Sequence, residues 1–212
     1  MVSMKSPYQL KNGFAKLVGQ VEFLIGGTQT NAVMIDTLLA SYQGVIAADT
    51  GHISVHEAGA IEFDGHKVLT VPAKEGKIAA DQIVAYAADY HNDANHDHMV
   101  MPGMVYLSQP TEFGTLYSKA ELQAIHDVCR QYDMKLYVDG ARLSYALACP
   151  ENDVTMADLA KLCDAFWRYQ MRSFDWRSRC DTGCQADSAS VYHYQAAWCI
   201  TGQGTTLGNS IR

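Results

Sequence analysis

The chain has 212 residues, 48% of them hydrophobic and 18% charged, with a formal net charge of −7. That is globular composition with length for one sizeable core. The acidic balance argues against nucleic acid or an anionic membrane surface as partner, because both need a positive face. No segment approaches the ~20 apolar residues of a membrane span. The opening "MVSMKSPYQLKNGFAKLVGQ" lacks the apolar run and small-residue cleavage site of a secretory signal, so the expected location is cytoplasmic. Cys129, Cys149, Cys163, Cys180, Cys184 and Cys199 show no CxxC spacing and read as free thiols.

The pattern along the chain alternates. "VEFLIGG" is a short apolar run closed by glycines, a strand and a turn, and "TQTNAVMIDTLLASY" follows with helical spacing at Ala32, Ile35, Leu38 and Leu39. "GVIAAD" and "HKVLTVPA" read as strands, "KIAADQIVAYAADYH" as a helix and "MVYLSQ" as another strand. "SKAELQAIHDVCRQYD" opens with a capping box, Ser118 with Glu121, and is amphipathic. "KLYVDGAR" is a strand ending on a charged loop, Thr155 caps a helix in "TMADLAKLC", and "CDAF" begins a further strand. Strands alternating with helices imply an α/β fold, a mostly parallel sheet flanked by helices.

Ligands of such sheets bind at the carboxyl ends of the strands. The residues that follow the strands are Gly26 to Asn31, Asp49 to His52, Gln109 to Glu112, and Asp139 to Arg142. "GGTQTN" suits a phosphate, since glycines allow close approach and a helix N-terminus offers free N–H groups. It equally suits an ordinary turn capped by Thr28 or Thr30. A buried Asp139 can hold a protonated ring nitrogen, and Arg142 can grip an anion with two hydrogen bonds. The plain alternative is an Asp139–Arg142 pair at a loop. His52 can stack on a flat ligand or relay a proton, or simply pack against the helix that begins there. "HNDANHDH", residues 91–98, offers His91, His96, His98, Asp93 and Asp97, but its polar, unbraced composition reads as a solvent-exposed loop, and no metal site is expected.

Together "FLIGGTQTN", "VIAADTGHISVHEAGAIE", "GHKVLTVP", "SQPTEFGTLYSKAEL" and "LYVDGARL" resemble the low-specificity threonine aldolases and their aromatic amino acid β-eliminating lyase relatives, from about Val21 to Phe166. The resemblance implies the aspartate aminotransferase fold, that is, an incomplete fold-type I large domain, with pyridoxal 5′-phosphate as cofactor. It implies that Gly27 and Thr28 help hold the cofactor phosphate, that His52 stacks on the pyridine ring, and that Asp139 pairs with the pyridine nitrogen. Arg142 would help hold a substrate or cofactor anion. The implied reaction cleaves a β-hydroxy-α-amino acid such as threonine or allo-threonine into glycine and an aldehyde, in a homo-oligomer. Many aldolases of the family carry a second histidine in the loop written here as "SQPTEFGT", and none stands there.

The family's Schiff-base lysine follows the next strand in a "GGTK"-type loop, where this chain reads "FWRYQMRS". No lysine occurs after Lys161, and Lys161 lies at a helical surface position. Without that lysine there is neither a covalent anchor nor a nearby base, so covalent cofactor attachment is not expected and the chain is expected to be inactive. Tryptophan has one codon, TGG, so a reading one base later turns Trp167, Trp176 and Trp198 into glycines. With permitted synonymous codons, "WRYQMRSFDWRSR" then becomes G-G-T-K-C-G-A-L-I-G-E-A-V, which puts the lysine at the Gln170–Met171 junction. The expectation is therefore an atypical segment over 1–20, a partial large domain over 21–166, and a frameshifted, poorly ordered tail over 167–212 whose Trp167, Tyr169, Phe174 and Trp176 have no periodic face to bury. Alternatives are a non-catalytic phosphate-binding fragment that pairs with an intact relative, a lyase acting on another amino acid, and a histidine-rich metal binder.

Overall fold

The computed structural model describes residues 20–170 and 196–201, with side chains over 24–168. Its strands are β1 (Gln20–Ile25), β2 (Gln43–Ala48), β3 (Val68–Val71), β4 (Met101–Ser108), β5 (Lys135–Gly140), β6 (Ala165–Gln170) and β7 (Ala196–Thr201). Its helices are α1 (Gly27–Leu38), α2 (His52–Val55), α3 (Ala60–Phe63), α4 (Ala80–Asn92), α5 (Lys119–Gln131), α6 (Leu143–Ala148) and α7 (Met156–Leu162), with a 3-10 turn at His96–His98.

Among the described residues the strands form one sheet in the order β1-β7-β6-β5-β4-β2-β3. The five strands β6, β5, β4, β2 and β3 are parallel, and β7 runs antiparallel to both β6 and β1. Parallel strands need crossover helices, which cover both faces and explain the near-continuous apolar runs read in the sequence.

Strand alternation divides the core in two. Ile46, Val105, Leu107, Leu136, Val138 and Phe166 face α4, α5 and α7, meeting Ile83, Leu122, Ile125 and Leu159. Val45, Ala47, Met104, Tyr106, Tyr137, Ala165 and Trp167 face the other way, against Met34 and Ile35 of α1, Ile53 of α2 and Ile61 of α3. Each fully buried Ile or Leu contributes ~1.5–3 kcal/mol relative to exposure. The second face differs in carrying polar groups among its apolar ones: Asn31, Glu57 and Asp139 are buried there.

The capping box at α5 forms as expected. The Ser118 N–H donates to Glu121 Oε2 at 2.8 Å, and the Glu121 N–H donates to Ser118 Oγ at 3.3 Å. Thr155 and Asp158 do the same for α7. Two short helices, α2 and α3, and the six-residue α6 lie in stretches the periodicity did not single out, because four to six residues are too few for a 3.6-residue repeat to register.

One expectation is corrected. β6 runs without a break across Phe166 and Trp167, and Trp167 is 1% exposed. Its register partner in β5 is Asp139, so strand alternation sends the indole to the α1 side of the sheet, where a face exists to bury it. The expectations for residues 1–19, and for Met171, Phe174, Trp176, Cys180 and Cys184, lie outside the described residues, as does the side chain of Cys199. Cys129, Cys149 and Cys163 are free thiols. Among the described residues no helix is long and apolar enough to cross a membrane.

Candidate functional site

The first strand–helix turn is built by Gly26, at φ 90° and ψ 152°, a conformation that costs glycine little and other residues much. Gly26 is the N-cap of α1, and no side chain caps the helix. Thr30 instead donates from Oγ1 to the Gly26 carbonyl at 2.7 Å, one turn down. The cap by Thr28 or Thr30 that the sequence allowed is therefore not made. The N–H groups of the first turn, at Gly27, Thr28 and Gln29, keep the positive end of the 12-residue helix available to an anion.

One turn past Gly27, Asn31 is fully buried and spends its whole hydrogen-bonding capacity. Its Nδ2 donates to Glu57 Oε1 at 2.7 Å and to Asp139 Oδ2 at 3.1 Å. Its Oδ1 accepts from Tyr137 Oη at 2.9 Å and from Trp167 Nε1 at 3.0 Å. Two donors on one side and two acceptors on the other fix the amide's orientation. β5, β6 and the turn between α2 and α3 are thereby tied to one side chain of α1.

Asp139 ends β5 on the same face, 3% exposed. Oδ2 also accepts from Tyr106 Oη at 2.6 Å, and Oδ1 accepts the Ala141 N–H at 2.8 Å. Burial raises the Asp139 carboxyl above the usual carboxylate range, while Tyr106, Ala141, Asn31 and the nearby His52 pull it back. Burial likewise pushes the Tyr106 phenol far up, so it is a donor at any ordinary pH. Gly140 follows in a position no larger residue fits, because a Cβ there would collide with the Trp167 carbonyl oxygen.

His52 opens α2, with Nε2 3.9 Å from Glu57 Oε1 and its side chain 39% exposed, whereas the Glu57 side chain is 0% exposed. His56 lies beside it, the two ring centroids 5.3 Å apart. His52 thus stands between solvent and the buried carboxyls. The structure brings His52, Asp139 and the helix of Gly27 and Thr28 to one edge of the sheet.

Arg142 stands apart from Asp139, and the Asp139–Arg142 pair is not formed. Its Nη2 donates to Glu112 Oε1 at 2.8 Å, an oxygen that also accepts from Ser108 Oγ at 3.0 Å. Arg142 Nε is buried without a partner, as is Thr50 Oγ1 at the end of β2. The remaining strand-end residues do structural work. Asp49 Oδ1 accepts the Ala73 N–H at 3.0 Å, and Gln109 exchanges two hydrogen bonds with the backbone of Tyr117. Residues 91–95 are exposed, and among the described residues no histidine, cysteine, aspartate or glutamate cluster could hold a metal. Lys161 is exposed on α7.

The sequence did not single out Glu57, Tyr106 or Tyr137, offered Asn31 only as the end of the glycine turn, and left Trp167 without a face to bury. The available signal was a polar residue inside an apolar helical face, Asn31 three residues before Met34, and a glutamate in an alanine- and glycine-rich turn, "HEAGA".

A family model described as beta-eliminating lyase matches residues 5–168. The low specificity L-threonine aldolase of Pseudomonas sp. (strain NCIMB 10558) is 34% identical over 150 residues, covering 68% of this chain and 42% of that protein. The solved threonine aldolase of Leishmania major superposes with a TM-score of 0.72 at 37% identity, covering 87% of this chain and 47% of that one. The chain thus spans less than half the length of either relative. Aspartate aminotransferase from Thermus thermophilus shares the fold, with a TM-score of 0.59 at 13% identity. The α/β fold is the aspartate aminotransferase type that the sequence led one to expect.

Proposed function

This chain belongs to the beta-eliminating lyase family, whose cofactor is pyridoxal 5′-phosphate, and from that premise we propose that residues 21–166 form the cofactor-holding half of a threonine aldolase-type site. The reaction of that lineage is cleavage of a β-hydroxy-α-amino acid, threonine or allo-threonine, to glycine and an aldehyde. The observation that carries the reading is the buried Asp139 carboxylate. It is oriented by Tyr106, Asn31 and the Ala141 N–H at the carboxyl end of a parallel sheet.

The residues fit the cofactor without covalent attachment. Asp139 Oδ1 takes only one donor among the described residues, which leaves a lone pair for a protonated pyridine nitrogen. The uncapped first turn of α1, with Gly27 and Thr28, suits the phosphate. His52 is exposed enough to stack on a ring. When bound, the cofactor supplies an electron sink for bonds broken at the substrate α-carbon. Asp139 keeps the ring nitrogen protonated, and Arg142 holds a carboxylate once Glu112 yields it.

A second reading is favoured by a specific observation. The β6 residues beside Asp139 and Gly140 are Trp167 and Arg168, and among the described residues no lysine stands there. We therefore propose that this chain binds the cofactor reversibly and does not turn over, acting as a fragment in a homo-oligomeric, cytoplasmic lineage. The division at Phe166 and the frameshifted tail belong to the same proposal. The test is titration of the full chain with pyridoxal 5′-phosphate, followed by borohydride and intact mass. Saturable binding is expected, weakened about tenfold by Asp139→Asn through loss of one charge-assisted hydrogen bond, with no added mass after reduction. Absence of saturable binding, or indifference to Asp139→Asn, overturns the site. A single reduced lysine in the pocket overturns the reversible reading.

A further inference from the structure

Glu57 is a buried carboxyl and is poorly provided for. Its side chain is 0% exposed, Oε1 has the Asn31 donor at 2.7 Å, and Oε2 has no partner. Asp139, by contrast, receives three donors. Both carboxyls accept from the same Asn31 nitrogen, at 2.7 and 3.1 Å. Their oxygens therefore fall within the ~6 Å over which like charges strongly disfavour double ionisation.

The surroundings contain little to offset two negative charges. His52 of α2 approaches Glu57 Oε1 at 3.9 Å, with the exposed His56 beside it. From β4 and β5 come the phenols of Tyr106 and Tyr137, and from α1 the neutral amide of Asn31. Glu62 of α3 is exposed.

We propose that Glu57 and Asp139 act as one carboxyl pair holding a single proton, carried by Glu57 at Oε2, with His52 as the group through which that proton exchanges with solvent and substrate. The assignment to Glu57 follows from the donor count, since the carboxyl with three donors is the one stabilised as an anion. Burial lifts the Glu57 carboxyl to about 7, with the Asn31 bond opposing and the Asp139 charge reinforcing the shift. The exchange step is balanced: the Glu57 carboxyl releases its proton and His52 Nε2, 3.9 Å from Oε1, takes it up, leaving carboxylate and imidazolium. The pair would supply the proton-transfer partner that the loop at residues 108–115 lacks as a histidine. That use rests on the aldolase-type reading, whereas the shared proton does not.

The test uses the cofactor-free full chain and infrared difference spectroscopy across a pH titration. The expected result is a protonated-carboxyl carbonyl band that disappears with a midpoint near 7. Glu57→Gln abolishes the band. Asp139→Asn keeps it but moves the midpoint down by about half a unit or more, because the neighbouring charge is gone. A wild-type spectrum without such a band, or a band that survives Glu57→Gln, overturns the proposal. If Glu57→Gln does not fold by circular dichroism, Asp139→Asn decides alone, and an unmoved midpoint overturns it. In parallel, His52→Gln should slow the shift of the carboxyl band on transfer to heavy water, and an unchanged rate refutes the exchange role. Failure of cofactor binding would leave these readouts intact, so the two readings fail separately.

Discussion

Replacing Asn31 by leucine, which has the same branched arrangement of side-chain heavy atoms, removes four hydrogen bonds without opening a cavity. Tyr137 and Trp167 each lose a neutral bond, at ~1 kcal/mol apiece. Glu57 Oε1 loses the donor given to it, and Asp139 loses one of three. A buried carboxyl deprived of its donor costs ~1–3 kcal/mol. Set against about 1 kcal/mol gained by burying a leucine in place of an amide, the net loss is about 4 kcal/mol. That is a large share of a typical domain stability of ~5–15 kcal/mol. Urea unfolding followed by far-ultraviolet circular dichroism should show the midpoint falling by about 2 M, taking a slope near 2 kcal/mol/M. A midpoint within about 0.3 M of wild type would mean that the buried network is not worth what its geometry implies, and the argument that Asn31 holds the site together would fail.

Glu57 gives stability a pH dependence whose sign is set by its raised carboxyl. Below the unfolded value of 4.5 both states are protonated and its contribution is fully present. Between 4.5 and about 7 the unfolded chain releases the proton while the folded chain keeps it. Stability therefore declines by ~1.4 kcal/mol per pH unit, about 3 kcal/mol in all, and levels off above that window. Glu57→Gln should flatten this decline in urea titrations at several pH values, and an unaltered slope would count against it. Gly140→Ala drives a Cβ into the Trp167 carbonyl oxygen and presses on Leu143. The strands must part beside Asp139, so a loss of ~1–3 kcal/mol in the same unfolding assay is expected, and an unchanged midpoint would show that the β5–β6 contact is looser than its geometry.

Much of the architecture was legible in the residues alone. Apolar runs such as "GVIAAD" and "MVYLS" read as strands, and Ser118 with Glu121 announced the start of α5. Asp139 was identifiable because a carboxylate that ends an apolar strand is conspicuous. These signals are local: a strand's burial and a helix's cap depend on neighbours a few positions away, and periodicity records them. The tertiary structure alone decided that Arg142 meets Glu112 and not Asp139, that Trp167 has a face to bury, and that Asn31 joins Glu57, Asp139, Tyr137 and Trp167. Those partners lie 26 to 136 residues from Asn31 along the chain. A hydrogen bond between such distant groups leaves no repeat in the sequence. It exists only because parallel strands bring Tyr137, Asp139 and Trp167 to one face and α1 lays Asn31 across them.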